Sequence, residues 1–301
     1  MKPEELEDMT TLTIKTNALD NNIRIIKRLA NGAKVIAVLK GNAYGLGLTK
    51  FASFLQSKGI DNYGVTELSD AVTLRRNGIT GNILLMTPLY NSEDITTAID
   101  HDITLSITST DCAHVIDETA AYMNHPTVHA HLCIDTGFGR YGFLCSDEKQ
   151  IANTIQSLRH IKITGIFSHF HAAACRNEYY VKKQFQDFTH LCDALRKDGV
   201  PVGIRHISSS TSMPSASVLL FLADLRFQMI MVFVRSVICP PMWTISMNCR
   251  PVTTLAMVTA LNCHTMQRQP LSPPDIIMGL EWNATPIPEQ ISSLRSVFII
   301  N

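Results

Sequence analysis

An excess of charge of either sign is missing from this sequence. Lysine and arginine together number 26, and aspartate and glutamate also number 26, so the net charge at neutral pH is zero. A protein that binds nucleic acid through a basic surface would carry more positive charge, and we therefore expect no nucleic-acid partner. Charged residues make up only 17% of the chain and hydrophobic residues 46%, which predicts a folded core and not an extended, solvated chain.

The sequence also lacks the cysteine patterns of disulfide-rich and zinc-binding proteins. Its eight cysteines are scattered, and no two of them form a Cys-x-x-Cys pair. We interpret them as reduced thiols, most of them buried, in a cytoplasmic protein.

A long uninterrupted apolar run is absent as well. The most apolar stretch, residues 217–239, contains Asp224, Arg226 and Arg235, so a membrane span is not expected. Residues 1–11 are acidic and lack the basic and apolar segments of a signal peptide. We therefore expect no membrane partner.

Short apolar runs alternate with amphipathic segments from residue 34 to about residue 208. The apolar runs, which we interpret as strands, cover residues 34–39, 62–66, 82–86, 103–107, 128–135, 161–169 and 204–208. The segments between them have helical periodicity and cover residues 49–58, 67–77, 92–100, 111–122, 148–159 and 178–197. Glycine follows three of these helices, at Gly59, Gly78 and Gly199, as expected for helix C-caps.

Repeated strand–helix units with short connections predict a parallel sheet with helices outside it. Seven units can be counted, and residues 225–232 would supply an eighth strand, which is the number that closes a (β/α)8 barrel of the TIM type. An open doubly wound sheet is the alternative, but the first strand is not followed by Gly-x-Gly-x-x-Gly. The alternation ends near residue 210, so we predict a barrel over residues 10–235 and an incomplete β-rich C-terminal domain over residues 245–301.

The first predicted strand leads into Val-Leu-Lys-Gly-Asn-Ala-Tyr-Gly-Leu-Gly, residues 38–47. Lys40 therefore lies at the carboxyl end of a barrel strand, where TIM-barrel enzymes place reactive groups. Desolvation at the end of an apolar strand lowers the pKa of a lysine amine and suits it to form a Schiff base with an aldehyde cofactor. An ordinary lysine in a glycine-containing turn is the alternative interpretation.

Four segments resemble the motifs of alanine racemases, in the same order along the chain. Residues 39–47 resemble the pyridoxal-phosphate lysine motif Leu-Lys-Ala-Asn/Asp-Ala-Tyr-Gly-His-Gly, with Gly41 and Leu46 as departures. The other three are residues 134–142, which resemble Asp-Thr-Gly-Met-Gly-Arg-x-Gly, residues 165–170, which resemble a Thr/Ser-His-Phe strand, and residues 206–210, which resemble His-x-x-Asn-Ser with Ser209 for the asparagine. The resemblance covers residues 10 to about 210 and implies a barrel enzyme that interconverts L- and D-alanine with pyridoxal 5'-phosphate.

The resemblance also implies a role for each matching residue. Lys40 would hold the cofactor covalently and act as the general base on one face of the substrate. Tyr44 and Ser210 would bind the cofactor phosphate, and His169 would lie against the pyridine ring. Arg140 would lie near the ring oxygen and the substrate carboxylate, where a forked guanidinium suits the geometry.

Three positions depart from the family in ways that affect the expected activity. Cys133 stands where the family has a carbamylated lysine, and a thiol cannot carry a carbamate. Arg235 is the candidate partner of the pyridine nitrogen, but the glycine of the family's Val-Arg-x-Gly segment is missing. Met278 stands where the family has the tyrosine that serves the opposite face of the substrate, and a thioether cannot transfer a proton. The resemblance therefore predicts a racemase with impaired turnover.

The family works as a homodimer, because each site takes that tyrosine from the partner's C-terminal domain. We accordingly expect a homodimer and a small amino-acid substrate, with alanine and serine both open. The family's pattern is lost over residues 210–249 and beyond residue 286 but is still visible near residues 250–260 and 279–285. Shifts of reading frame in the coding sequence are our hypothesis for this change.

Two other functions are compatible with these residues. Potential metal ligands alternate along two predicted strands, at His129, His131, Cys133 and Asp135 and at His169 and His171. This pattern is typical of metal-dependent barrel hydrolases, although the racemase motifs already account for two of its members, so we expect no metal site. A non-catalytic barrel that binds pyridoxal phosphate is the other alternative, and the altered C-terminal part favours it.

Overall fold

The computed structural model describes residues 10–14, 16–30, 32–124, 127–171, 179–208, 229–233 and 243–247. The chain divides into two compact units, residues 23–234 and residues 1–22 with 235–301. In the second unit, strand β1 (Thr10–Ile14) pairs antiparallel with β11 (Trp243–Met247). The predicted domain boundaries, 10–235 and 245–301, stay predictions.

The unit of residues 23–234 contains nine strands, counted over the described residues and numbered along the chain. They are β2 (Lys34–Val38), β3 (Asn62–Val65), β4 (Asn82–Leu85), β5 (Leu105–Ile107), β6 (Val128–Asp135), β7 (Phe143–Leu144), β8 (Ile161–His169), β9 (Ile204–Ser208) and β10 (Met229–Phe233). Seven of them were predicted within two residues at either end, because each is a short buried run of apolar residues. The eighth predicted strand, residues 225–232, overlaps β10, which begins four residues later than predicted and ends one residue later.

Eight of these strands form the parallel wall of a barrel. The hydrogen-bonded order is β10-β2-β3-β4 in one sheet and β5-β6-β8-β9 in the other, with every pair parallel. A parallel bridge between Leu84 and Thr104 joins β4 to the segment before β5, and β9 is in contact with β10. The predicted (β/α)8 barrel is therefore confirmed, and the short strand β7 pairs with β6 outside the ring.

Helices connect the strands. They are α1 (Thr16–Ala30), α2 (Lys40–Tyr44), α3 (Leu48–Ser57), α4 (Leu68–Arg76), α5 (Ser92–Asp100), α6 (Thr110–Tyr122), α7 (Glu148–Ser157) and α8 (Tyr179–Lys197). Neither α1 nor the short α2 was predicted. The three predicted C-cap glycines, Gly59, Gly78 and Gly199, all have a positive φ, which glycine adopts without a Cβ clash.

The barrel interior at β2 and β4 is apolar, and the helices cover the outside with one buried face each. Ile36, Val38, Leu84 and Met86 form a buried cluster. Helix α3 shows the periodicity of an outer helix, since its buried residues recur three to four positions apart: Leu48, Phe51, Ala52 and Leu55. None of the helices in the described part of the chain is both long enough and apolar enough to cross a membrane.

Candidate functional site

Lys40 is the first residue of α2, and one residue, Leu39, separates it from the end of β2. The backbone of Leu39 continues the sheet, because its N–H donates to the Gly64 carbonyl at 2.8 Å. Lys40 therefore lies at the carboxyl end of the barrel strands, as predicted. Partial burial lowers the pKa of its amine, and the positive charge of Arg140 lowers it further.

The segment after Lys40 is a left-handed turn. Gly41, Asn42 and Ala43 have φ values of 61°, 54° and 53°, and Tyr44 follows with 55°. Left-handed backbone is costly for residues that carry a Cβ, so a run of this kind persists only where the surrounding structure enforces it. The turn therefore fixes where Lys40 leaves the barrel wall.

Hydrogen bonds within the turn supply part of that enforcement. The Ala43 N–H donates to the Leu39 carbonyl at 2.9 Å, and the Gly47 N–H donates to the Asn42 carbonyl at 3.1 Å. The Asn42 side chain accepts from the N–H of Leu48 at 2.8 Å, which satisfies a donor in the first turn of α3. The turn is thus tied to the strand before it and to the helix after it.

A second loop follows β6 and is organised by the Asp135 carboxylate. This carboxylate accepts hydrogen bonds from the backbone N–H groups of Gly137, Phe138 and Gly139 at 2.7–3.2 Å. Burial raises the pKa of Asp135, but the backbone donors together outweigh burial, and the net pKa lies below its ordinary value. The loop therefore closes around an ionised carboxylate.

Arg140 lies in this loop and contacts two aromatic rings. Its guanidinium carbon is 4.8 Å from the centroid of the Phe138 ring and 4.9 Å from that of Tyr141, both within the range of cation–π attraction. Arg140 is also near enough to lower the pKa of Lys40. The motif that contains Lys40 and the motif that contains Arg140, which are a hundred residues apart in sequence, therefore meet at one end of the barrel.

His169 ends β8 at the same edge. The Phe138 ring meets the His169 ring edge-on, with 5.2 Å between centroids. Gln184, buried on α8, donates to the Thr136 hydroxyl at 2.9 Å and to the His169 carbonyl at 3.2 Å. These bonds hold the ends of β6 and β8 together, and so place the Arg140 loop beside His169.

Cys133 lies two residues before Asp135 on β6 and is buried. Burial raises the pKa of its thiol to about 12, although the charge of Arg140 acts in the opposite direction. The thiol donates a weak hydrogen bond to the Tyr141 carbonyl, at 3.7 Å. Position 133 therefore presents a neutral group to Arg140 at physiological pH.

The candidate metal ligands on β6 differ in their exposure. His129, the second residue of β6, is exposed, whereas His131 is buried. Within the described ranges no three His, Cys, Asp or Glu side chains are grouped closely enough to hold a metal ion. The described part of the barrel thus gives no support to the metal-dependent alternative.

His131 instead pairs with His206 inside the barrel. Its Nδ1 is 2.9 Å from Nε2 of His206, and the Phe167 ring stacks on His206 at 5.2 Å. Burial, followed by the charge of His129, lowers the pKa of His131 to about 4, and burial, followed by the charge of His131, lowers the pKa of His206. Gly165 makes room for the pair, because a Cβ there would lie 2.7 Å from the His131 ring.

Several predicted site residues lie outside the described residues: Ser209, Ser210, Arg235 and Met278. The structure places Lys40, Arg140 and His169 together at one end of the barrel, with Tyr44 in the turn after Lys40. Sequence reasoning missed Phe138, Tyr141 and Gln184. The two aromatic residues could have been found, since both flank Arg140 in the motif that was examined.

Comparison with known proteins identifies the family of this chain. A family model described as the N-terminal domain of alanine racemase matches residues 14–227. The chain is similar to the alanine racemase of Clostridium tetani, with 35% identity over 202 residues, and to that of Methanococcus maripaludis, with 34% over 205 residues. Each match covers 66% of this chain. It covers 51% of the Clostridium tetani protein and 54% of the Methanococcus maripaludis protein, so the chain spans about half the length of these relatives.

Solved structures give the same result. The structure of alanine racemase from Clostridium difficile 630 in complex with cycloserine has a TM-score of 0.68 and 28% identity, and the match covers 76% of this chain and 61% of that one. The structure of alanine racemase from Corynebacterium glutamicum has a TM-score of 0.66 and 28% identity, and the match covers 75% and 62% of the two chains.

Proposed function

Because the chain belongs to the alanine racemase family, we propose that it acts as a pyridoxal-phosphate-dependent amino-acid racemase that interconverts L- and D-alanine, with Lys40 as the residue that carries the cofactor. The observation that carries this proposal is the meeting of Lys40 and Arg140 at the carboxyl end of the barrel, where the charge of Arg140 lowers the pKa of the Lys40 amine. This arrangement joins two motifs whose residue types the proposed chemistry requires.

The described residues fit the cofactor. An amine whose pKa is lowered has a larger neutral fraction near pH 7, and only the neutral amine condenses with an aldehyde. Space is available beside it, because a Cβ built on Gly41, Gly45 or Gly47 would meet nothing within 4 Å. The permanent charge of Arg140 suits an oxygen anion of the cofactor or of the substrate.

The chain's own residues then have distinct tasks. When bound, pyridoxal phosphate supplies an electron sink that makes the α-hydrogen of an amino acid acidic. Lys40 accepts and returns that proton at Nζ, on its own face of the substrate, and its lowered pKa brings it nearer the working pH of a general base. Arg140 attracts the substrate carboxylate, and Tyr44, with Ser210 and Arg235, contributes to holding the cofactor.

Racemisation needs a second proton-transfer group on the opposite face of the substrate. At the position that resembles the family's tyrosine the chain has Met278, whose thioether has no proton to give. The proposal therefore includes impaired turnover. It also includes the family's homodimer and a cytoplasmic location.

The test is a visible absorption spectrum of the full chain after addition of pyridoxal phosphate. We expect an absorption band that is absent from Lys40→Ala and retained in Lys50→Ala, which removes an exposed lysine from the nearby helix α3. A band that is absent from all three proteins, or equally strong in all three, would overturn the assignment of Lys40.

Turnover is measured separately, as D-alanine formed from L-alanine. We expect slow racemisation that is lost in Lys40→Ala. A Lys40-dependent band with no turnover at all would favour the non-catalytic binding function, to which the methionine at position 278 also points.

A further inference from the structure

Arg140 is an exposed residue with an unusual set of neighbours for an arginine. Among the described residues, no carboxylate lies within salt-bridge distance of its guanidinium, and its two close contacts are the Phe138 and Tyr141 rings. The nearest acid in sequence, Asp135, is engaged by the backbone N–H groups of the loop. The electrostatic partner of Arg140 is therefore aromatic.

Position 133 does not provide the missing anion. The Cys133 thiol is buried beside Arg140, and its pKa of about 12 keeps it protonated at any physiological pH. Its hydrogen bond goes to the Tyr141 carbonyl, which ties it to the loop backbone and leaves the guanidinium to the rings.

We propose that Phe138 and Tyr141 are positioning residues that hold the Arg140 guanidinium beside Lys40, in place of a buried anion on β6. The negative faces of the two rings attract the delocalised guanidinium charge, and guanidinium stacks on aromatic faces more readily than an ammonium does.

The two rings are themselves fixed. Phe138 packs edge-on against His169, and its backbone N–H is held by Asp135 at 2.7 Å. Tyr141 is partly buried and accepts the Cys133 hydrogen bond at its carbonyl. A guanidinium in contact with both rings consequently has few positions open to it, whereas with either ring removed it is free to turn towards solvent.

The Lys40 amine reports the position of Arg140. Because the charge of Arg140 is one of the two influences that lower the pKa of Lys40, burial being the larger, displacement of the guanidinium should raise that pKa. The part of the inference that concerns catalysis rests on the proposed function. The positioning itself does not, since it can be measured in protein that holds no cofactor.

The experiment measures the pH dependence of Lys40 acylation in the full chain, after hydroxylamine treatment and dialysis to remove any bound carbonyl compound. Labelling at Lys40 is followed by peptide mass spectrometry, and labelling at Lys50 is the internal reference. The variants are Phe138→Leu with Tyr141→Leu, the aromatic control Phe138→Tyr with Tyr141→Phe, and Arg140→Gln. The last sets the full effect of losing the charge.

We expect the midpoint pH of Lys40 labelling to rise by about half a pH unit in Arg140→Gln and by nearly as much in the double leucine variant. At a pH below the midpoint, such a rise makes the labelling reaction about threefold slower. The aromatic control should match the parent. A double leucine variant that keeps the parent's midpoint while Arg140→Gln shifts it would overturn the proposal, and so would an Arg140→Gln variant with no shift.

The single variant Phe138→Leu keeps the proposal testable if the double leucine variant does not fold. The Phe138 ring is 40% exposed, so its loss leaves the core intact. This single variant should give a smaller shift in the same direction, and no shift in a folded variant would count against the proposal. Because the labelling needs neither cofactor nor turnover, a failure of the racemase proposal does not change how these results are read.

Discussion

Two loops at the carboxyl end of the barrel are held in place by different interactions. They are residues 40–47 after β2 and residues 135–142 after β6. Both leave a strand abruptly and both present a basic residue to the site. The first is held by backbone hydrogen bonds and the neutral Asn42 amide. The second is held by the ionised Asp135 carboxylate.

The difference lies in what each loop depends on. The first loop accepts left-handed backbone at three residues with side chains, and it has open space around its glycines. The second is closely packed where it returns, since a Cβ on Gly142 would lie 2.8 Å from the Asp135 nitrogen. The stability of the neutral, open first loop should therefore not depend on pH, and the loop should tolerate added atoms. The stability of the charged, closely packed second loop should depend on pH, and added atoms should destabilise it.

The largest expected effect is that of a single methyl group added to the closed loop. Gly142→Ala places a Cβ against the backbone of β6 at a φ of 131°, and we expect a loss of about 3 kcal/mol or more in the free energy of unfolding. Gly41→Ala is the control, because its Cβ meets nothing and the strain of its φ of 61° costs only about 1 kcal/mol. Urea denaturation of both variants tests this, and equal losses would remove the contrast between the loops.

The next effect concerns the charge at the centre of the second loop. Asp135→Asn keeps the shape of the side chain but turns a charged acceptor into a neutral one, which weakens its hydrogen bonds to three backbone donors. We expect a loss of about 2 kcal/mol in the free energy of unfolding. A loss below the error of the urea titration would mean that the loop holds without the carboxylate.

The pH dependence of stability separates this charge from the histidine pair. Folded His131, with a pKa of about 4, takes up a proton only at a lower pH than a histidine of the unfolded chain does. The free energy of unfolding therefore decreases as the pH is lowered from about 6.5 to about 4, in every variant that keeps the pair. The depressed pKa of Asp135 stabilises the fold above its unfolded pKa, and this stabilisation is lost only as pH falls below about 4.

Wild type and Asp135→Asn should therefore run parallel above pH 4 and converge below it, when unfolding free energy is plotted against pH. Convergence that begins near pH 6 would contradict the assignment of the lower window to Asp135.

The smallest effect is expected in the open loop. Asn42→Ala removes one neutral hydrogen bond to the start of α3, and we expect a loss of about 1 kcal/mol that is the same at every pH from 4 to 8. Asn42→Asp retains an acceptor oxygen, and its free energy of unfolding should differ from that of the parent by about 0.5 kcal/mol at most. A pH-dependent loss in Asn42→Ala would show that the first loop also relies on charge.

Much of the fold could be predicted because the barrel strands are short, buried and apolar. The predicted bounds of β6, β8 and β9 agree with the structure to the residue. Helix α2 could not be predicted, since its left-handed backbone has no hydrophobic period and depends on bonds to Leu39 and Leu48. The burial of His131 could not be predicted for a related reason, because it depends on His206, which lies on a strand distant in sequence.

The candidate site divides in the same way. Lys40 and the Asp135 loop are evident from local sequence, because a strand end and a run of glycines are properties of adjacent residues. The contact of Phe138 with His169 is not, since one ring lies in the loop after β6 and the other at the end of β8. The residues at 210, 235 and 278 remain predictions from sequence.

The sequence by itself determined that this chain forms strand–helix units, where seven of the barrel strands lie to within two residues, and which basic residues follow the strands. Only the tertiary structure decided that Arg140 acts on Lys40 and that His131 meets His206, 75 positions away. Closure of the barrel is the physical reason. Periodicity fixes which face of a strand is buried, but the neighbours across the ring depend on strand order and register, which are settled by packing of the whole wall.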